Sequence, residues 1–256
     1  MRHVLAGIIG LLLLTGCQGL GSQQRLWLDQ GEQAYAAGQY TRCIEQLSRF
    51  LTSAPNTPEA ERAAYVRGLA QIRSGRRLAG RNDLNRCAQT ASNTDVRWRA
   101  LTVLGTLDYE DQQWGTAGRS YAAAAQIAPR LPPTDIILFR LGVCYERTGQ
   151  WSYALIPYRR ILTEFPTSSV VADAQRRLQL RADHFSVQCG VFSSQENAQQ
   201  MVNDLRRRGF DAQTRVEPRG GVRMNVVLVG KFARYDEAVR EWDRVRSVVP
   251  KAVLWP

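Results

Sequence analysis

The stretch LFRLGVCYERTGQWSYALIPYRRILTEFP, residues 138–166, decides how most of the chain is read. It holds Gly142, the turn Gly149-Gln150-Trp151, the small Ala154, the bulky Tyr158 and a break at Pro166. The same features recur upstream at a step of 37 residues: Gly31, Gly68 and Gly105 precede Gly142, and Cys43, Gly80 and Ala117 precede Ala154. Leu47, Leu84 and Tyr121 precede Tyr158, while Pro55, Ser92 and Pro129 precede Pro166. Gly38-Gln39-Tyr40 and Gln112-Gln113-Trp114 match the turn, and Gly75-Arg76-Arg77 departs from it. Each unit reads as two antiparallel helices that touch at the small residues, with Pro or Ser ending the second. One such hairpin cannot bury its apolar face alone, so four of them must stack. Tyr40, Trp114 and Trp151 are expected to fill the space between neighbouring pairs. Eight helices are predicted within residues 25–168, and Val170, Val171, Ala174 and Leu178 give 168–181 the spacing of a capping helix.

These columns resemble the tetratricopeptide repeat (TPR), with three residues added to its unit of about 34. The resemblance implies an all-α solenoid that presents a protein-binding groove from the first helix of each pair. In repeat register the groove would carry Arg25, Arg62 and Arg99, with Tyr35, Tyr65 and Tyr109 on the same faces and Phe139 in the fourth copy. Arginine beside aromatics suits a peptide, including one with a carboxylate; solvated surface is the plainer reading of the same arginines. The carboxylate clamp of chaperone-binding relatives is missing, its positions being Glu32, Leu69, Thr106 and Val143.

At His184 the period changes from helix to strand. Residues 184–190 alternate, Ala198, Met201, Val202 and Leu205 form a helical stripe, and Gly209 suits its C-cap. Strands at 210–216 and 222–229 flank a turn at 217–221, a helix carries Tyr235, Ala238, Val239, Trp242 and Val245, and 252–255 is a short last strand. The order βαββαβ is the ferredoxin-like α+β plan, with helices on one sheet face and the other face open. Phe185-Ser186-Val187-Gln188-Cys189-Gly190-Val191-Phe192, Asn197-Ala198 and Val227-Leu228-Val229-Gly230-Lys231-Phe232 resemble the SPOR domain, a peptidoglycan-binding module of bacterial envelope proteins. The resemblance implies that the open face binds glycan strands stripped of stem peptides. By alternation Val187 and Cys189 face the helices and Ser186 and Gln188 face out, joined by Gln213 and Arg215 from the second strand with Asp211 nearby. Two positions depart from the family pattern: Val191 stands for its signature Ser, and Val226 for an Arg frequent on the third strand. A greasier face would favour another ligand or a protein contact.

The chain has 256 residues, and 34 Lys+Arg against 23 Asp+Glu give a net charge of +11. Hydrophobic residues make up 44%, enough for packed cores, and the length suits one or two domains. The basic side chains are Arg except at Lys231 and Lys251, a bias that genome composition alone can produce. At the N-terminus Arg2 precedes an apolar run, Val4–Leu14, too short to span a bilayer but suited to an export signal. Leu14-Thr15-Gly16-Cys17 resembles a lipobox, which implies lipidation of Cys17, and Gln18 implies sorting to the outer membrane, facing the periplasm. The expected division is a lipoprotein signal peptide at 1–16, a lipidated tether at 17–24, the TPR solenoid at 25–182 and the SPOR domain at 183–256.

His3 and His184 are the only histidines, and no Gly-x-Ser-x-Gly or Cys-x-x-Cys occurs, so neither a catalytic triad nor a metal site is expected and no cofactor is implied. Cys43, Cys87 and Cys144 fall in helix-packing columns and Cys189 on a buried strand face, as small core residues do. An RNA-binding reading of βαββαβ fails because residues 222–228 lack stacking aromatics. The combined expectation is a non-enzymatic envelope adaptor that holds glycan through one domain and protein partners through the other, in division or wall remodelling. The alternative is a repeat scaffold of an outer-membrane or secretion assembly whose SPOR fold contacts protein.

Overall fold

The computed structural model describes residues 19–256. Nine helices come first: α1 Ser22–Ala36, α2 Tyr40–Ser53, α3 Pro58–Arg73, α4 Arg77–Thr90, α5 Thr94–Glu110, α6 Trp114–Ile127, α7 Thr134–Arg147, α8 Trp151–Glu164 and α9 Val171–Leu180. The α+β part follows as β1 Phe185–Phe192, α10 Gln195–Arg207, β2 Ala212–Arg219, β3 Val222–Phe232, α11 Tyr235–Arg246 and β4 Val253–Trp255. The fold class is the one expected: helical hairpins of the repeat kind with a capping helix, then a ferredoxin-like βαββαβ domain. The chain divides into two compact units within α4, between Asp83 and Leu84.

One backbone motif closes the first helix of every pair. Gln39, Arg76, Gln113 and Gln150 each donate their backbone N–H to the carbonyl five residues back, at 2.8 Å in all four copies. The residue before each donor takes positive φ: Gly38 at 72°, Gly75 at 82°, Gln112 at 57° and Gly149 at 80°. This is the glycine-terminated helix end, and Gln112 adopts it despite its side chain.

In the unit ending at Asp83, Cys43, Leu47, Phe50 and Ala63 are fully buried between α1, α2 and α3. A Cβ on Gly31 would stand 2.4 Å from Leu47 Cδ2, and one on Gly80 2.6 Å from the Gly68 carbonyl oxygen. Arg67 grips Asp83 with two bonds of 2.7 and 2.8 Å and donates to Ser48 Oγ.

In the unit from Leu84 onward, Tyr121 fills the space opposite Gly105 and Tyr158 that opposite Gly142, where a Cβ would lie 2.8 Å and 2.4 Å from the rings. Ala174 seals this core from α9, with Val170, Val171 and Leu178 beside it. Two of the three aromatics that begin the second helices do not go where the sequence reading puts them. Tyr40 packs on Tyr35 within its own hairpin, whereas Trp114 packs on Tyr109 of its own hairpin and also meets Arg147 of the next, as the sequence reading puts it. Trp151 leaves the repeats altogether: its Nε1–H donates to the Ala233 carbonyl at 3.0 Å, and its ring lies 4.7 Å from Phe185. The α+β domain thereby docks on the ends of α7 and α8.

The sheet order is β2-β3-β1-β4, antiparallel throughout. Val187, Cys189, Ala212, Val227 and Val229 face α10 and α11 and meet Ala198, Val202, Leu205 and Val245. The β2–β3 hairpin is longer than predicted: its turn is Gly220-Gly221 alone, at φ 58° and 80°, a pair suited to a two-residue turn. Pro218 does not end β2, because β2 is an edge strand and tolerates a missing N–H.

Two predictions follow from this packing. Tyr158 has no exposed surface and cannot yield to a methyl at Gly142, so Gly142→Ala loses more to overpacking than it gains in helix propensity, a net of about 1–2 kcal/mol. Thermal denaturation should show a melting point lower by several degrees; an unchanged one contradicts the packing. Glu146 is buried on α7 and pairs with Arg177 at 2.9 Å. Burial pushes its carboxyl above the usual range, against the pull of Arg177. A raised folded value means that the stability contribution is complete below the unfolded carboxyl range and is lost as pH rises through the folded one. The melting-point difference, Glu146→Gln minus parent, should therefore grow between about pH 4 and pH 7; a constant or shrinking difference contradicts this.

Candidate functional site

The sheet face away from α10 and α11 is the first candidate surface. Its side chains follow from the register: Ser186 pairs with Trp255, Gln188 with Leu228 and Val253, Gln213 with Leu228, and Arg215 with Val226. A bulge between Gln188 and Gly190 shifts the alternation by one residue, so that Val191, opposite Val226, shares this face.

Gln188 and Gln213 are half-buried there. Arg215 donates from Nε to Glu217 at 2.9 Å and lays its guanidinium 4.0 Å from the Trp255 ring. β2 and β4 are opposite edges of the sheet, so both side chains must lie flat across it. Beneath them Val226 and Leu228 have 0% and 1% exposure. Val226 therefore does not make the face greasy, as its sequence suggested; it is the floor under a polar and aromatic layer.

Ser186 corrects the alternation argument. It is on the predicted face but wholly buried, because its hydroxyl donates to the Gly230 carbonyl at 2.8 Å and Trp255 pairs with it in β4. It holds strands together and has no surface for a ligand. His184 precedes it, 6.0 Å from the Trp255 ring, with its Nδ1 bonded to Asp183, whose carboxyl that bond holds below the usual range.

Trp255 and Glu217 are the site residues that sequence reasoning missed. The sequence places Glu217 in the turn. Trp255 was placed in a strand without a face, although its alternation with Leu254, which packs against the helix-side core, is the signal that locates it.

The repeat-groove residues are dispersed in role. Arg25 is exposed on α1, and Tyr35 is stacked on Tyr40. Arg62 is compensated by Glu32 at 3.0 Å, and Tyr65 is half-buried on α3. Arg99 pairs with Asp95 at 2.8 Å and sits 5.0 Å from the Trp98 ring. Tyr109 packs on Trp114 and Tyr121, and Phe139 packs on Tyr158 against the repeat core, each ring half-buried. Arg140, which sequence reasoning passed over, donates to Thr106 Oγ1 and Tyr121 Oη at 3.2 Å and lies over Tyr109.

Cys43, Cys87, Cys144 and Cys189 are buried free thiols; burial pushes Cys43 up to about 11 and Cys144 and Cys189 up to about 12, far from thiolate chemistry at neutral pH. Among the described residues no cluster of three His, Cys, Asp or Glu could hold a metal ion, and no helix is long and apolar enough to cross a membrane. Cys17, the expected lipidation site, lies outside the described residues.

A family model for the SPOR domain matches residues 181–253, and models for the tetratricopeptide repeat match 28–96 and 137–168. The chain carries tetratricopeptide repeats and a C-terminal SPOR domain. Between the two matched repeat segments, α5 and α6 keep the same contact, Gly105 against Tyr121. SPOR domains bind peptidoglycan and tetratricopeptide repeats mediate protein contacts; both are binding or scaffold modules.

No curated protein matches the chain. Among solved structures, a tetratricopeptide repeat protein from Parabacteroides merdae is similar at 14% identity over 74% of this chain and 68% of its own, with a TM-score of 0.52. The apo form of RapI gives 14% over 73% and 52%, with a TM-score of 0.51. A MamA structure (AMB-1) gives 22% over 62% and 80%, with a TM-score of 0.48. The first two likenesses speak for the helical fold alone.

Ser186→Ala removes one buried hydrogen bond and should cost about 1 kcal/mol in denaturant unfolding while leaving peptidoglycan binding unchanged. A loss of binding at full stability would return Ser186 to the ligand surface.

Proposed function

We propose that the protein is a lipid-anchored adaptor of the cell envelope that binds glycan strands stripped of stem peptides through its SPOR domain and protein partners through its repeats. The observation that supports this best is the sheet face that Gln188, Gln213, Arg215 and Glu217 share with Trp255, the Arg215 guanidinium lying over the Trp255 ring. Sugars need in-plane hydrogen-bonding groups beside an aromatic surface, and this face offers both. A sugar ring that stacks on Trp255 takes the place of the Arg215 guanidinium, which then turns to the sugar hydroxyls.

The acyl chains on Cys17 supply the membrane attachment, at about 0.8 kcal/mol per buried CH₂, and place the protein in the outer membrane facing the periplasm. Weak glycan and protein contacts on one anchored chain raise each other's local concentration, which suits division or wall remodelling, where denuded glycan is exposed. The protein has no catalytic role in this reading.

Co-sedimentation of the full chain with sacculi tests it. Binding should rise severalfold after an amidase strips the stem peptides, and Gln188→Ala or Trp255→Ala should abolish the rise. Equal or absent binding to treated and untreated sacculi contradicts glycan recognition and favours a scaffold whose SPOR domain contacts protein.

A further inference from the structure

Where the SPOR domain meets the repeats, a cleft of about 610 Å³ opens between the start of α6, the end of α7 and the start of α11. None of the residues expected to line the repeat groove borders it, and it lies apart from the Trp255 face. Its walls carry three guanidinium groups, from Arg119, Arg147 and Arg234, against the single carboxylate of Asp236. That carboxylate is already engaged, by Arg234 at 3.1 Å and Arg240 at 3.5 Å.

Arg147 is held in an unusual way. Its guanidinium carbon is 4.4 Å from the Trp114 ring and 3.5 Å from the Tyr235 ring, and those two rings are 6.0 Å apart. The rings are nearly perpendicular, at 83°, so the guanidinium lies flat on at most one of them, and such contacts leave N–H donors at its edge. Among the described residues neither Arg147 nor Arg119 forms an ion pair, and Arg119 donates only to Thr116 Oγ1 at 3.2 Å. Two fixed or nearby cations with open donors, beside Trp and Tyr surface, have the composition of a binding hot spot. The volume suits a ligand of a few amino-acid residues.

We propose that this cleft is a docking site for an acidic peptide segment of a protein partner, with a carboxylate taken in plane by Arg147 and a second one met by Arg119. Charge complementarity selects the occupant: planar carboxylates match the fork of an immobilised guanidinium, and the rotamer entropy of Arg147 is already spent in the ring contacts. The cleft deepens the protein-partner part of the reading above and is independent of glycan binding.

Fluorescence anisotropy of labelled hexaglutamate with the full chain at low ionic strength is the test, with hexaglutamine and a soluble muropeptide bearing its stem peptide as the other arms. Arg147→Gln and the exposed Arg119→Gln should each weaken hexaglutamate about tenfold. Arg147→Lys, which keeps the charge but loses the planar fork, should weaken it to a similar degree. Arg176→Gln on α9 removes the same charge elsewhere and should leave binding unchanged, as should hexaglutamine fail to bind. Sacculus binding should persist in the Arg119→Gln variant, so that failure here and failure of glycan recognition are read separately. Equal losses in Arg176→Gln and Arg119→Gln, or no detectable hexaglutamate binding, overturn the proposal; tighter binding of the muropeptide with the same sensitivity to Arg147 and Arg119 overturns the choice of a protein segment.

Discussion

At Gly142 and Gly105 the space that a side chain would fill belongs to a tyrosine of the facing helix, and the rest of the second unit depends on that close approach. With Tyr158 and Tyr121 seated there, each hairpin has one register available, and the turn that joins its helices must close at a fixed place. The equal backbone bonds at Gln113 and Gln150 accompany these two seats, and Gln39 and Arg76 make the same bond in the other hairpins. The residue after each donor begins the second helix, so Trp114 and Trp151 stand where the SPOR domain docks because the turn put them there.

From that position an unbroken series of contacts runs out of the repeats: Arg140 over Tyr109, Tyr109 against Trp114, Trp114 and Tyr235 around Arg147, Tyr235 against Phe185, and Phe185 against Trp151. The SPOR domain is therefore seated on the last repeats by edge-on and tilted ring contacts and one indole hydrogen bond rather than hung on a linker. Gly149 belongs to the same seat, since a Cβ there would stand 3.2 Å from the Ala233 carbonyl oxygen. Its glycine serves the turn and the docking together.

Much of this was legible in the sequence because it repeats: the step of 37 residues located the close approaches and the helix ends, and helical spacing located the capping helix with Ala174 at its centre. Alternation likewise sorted Val187 and Cys189 to the helix side of the sheet. What periodicity could not carry is anything set by a contact far along the chain. Ser186 is on the face that alternation gave it, yet its exposure is decided by Gly230 and Trp255. Arg215 reaches Trp255 across two intervening strands, a relation invisible in either local segment. Pro218 read as the end of a strand because nothing local says that the strand is an edge. Trp151 read as packing between repeats because its partner, Phe185, lies beyond the last of them.

The central claim is that the face bearing Gln188, Arg215 and Trp255 is where denuded glycan binds. Hydrogen exchange of the full chain, followed by mass spectrometry with and without soluble denuded glycan strands, tests it most directly. Slower exchange confined to β1, β2 and β4, with α10 unaffected, is the result the account predicts. Unchanged exchange in those strands, or protection confined to the repeats, would contradict it.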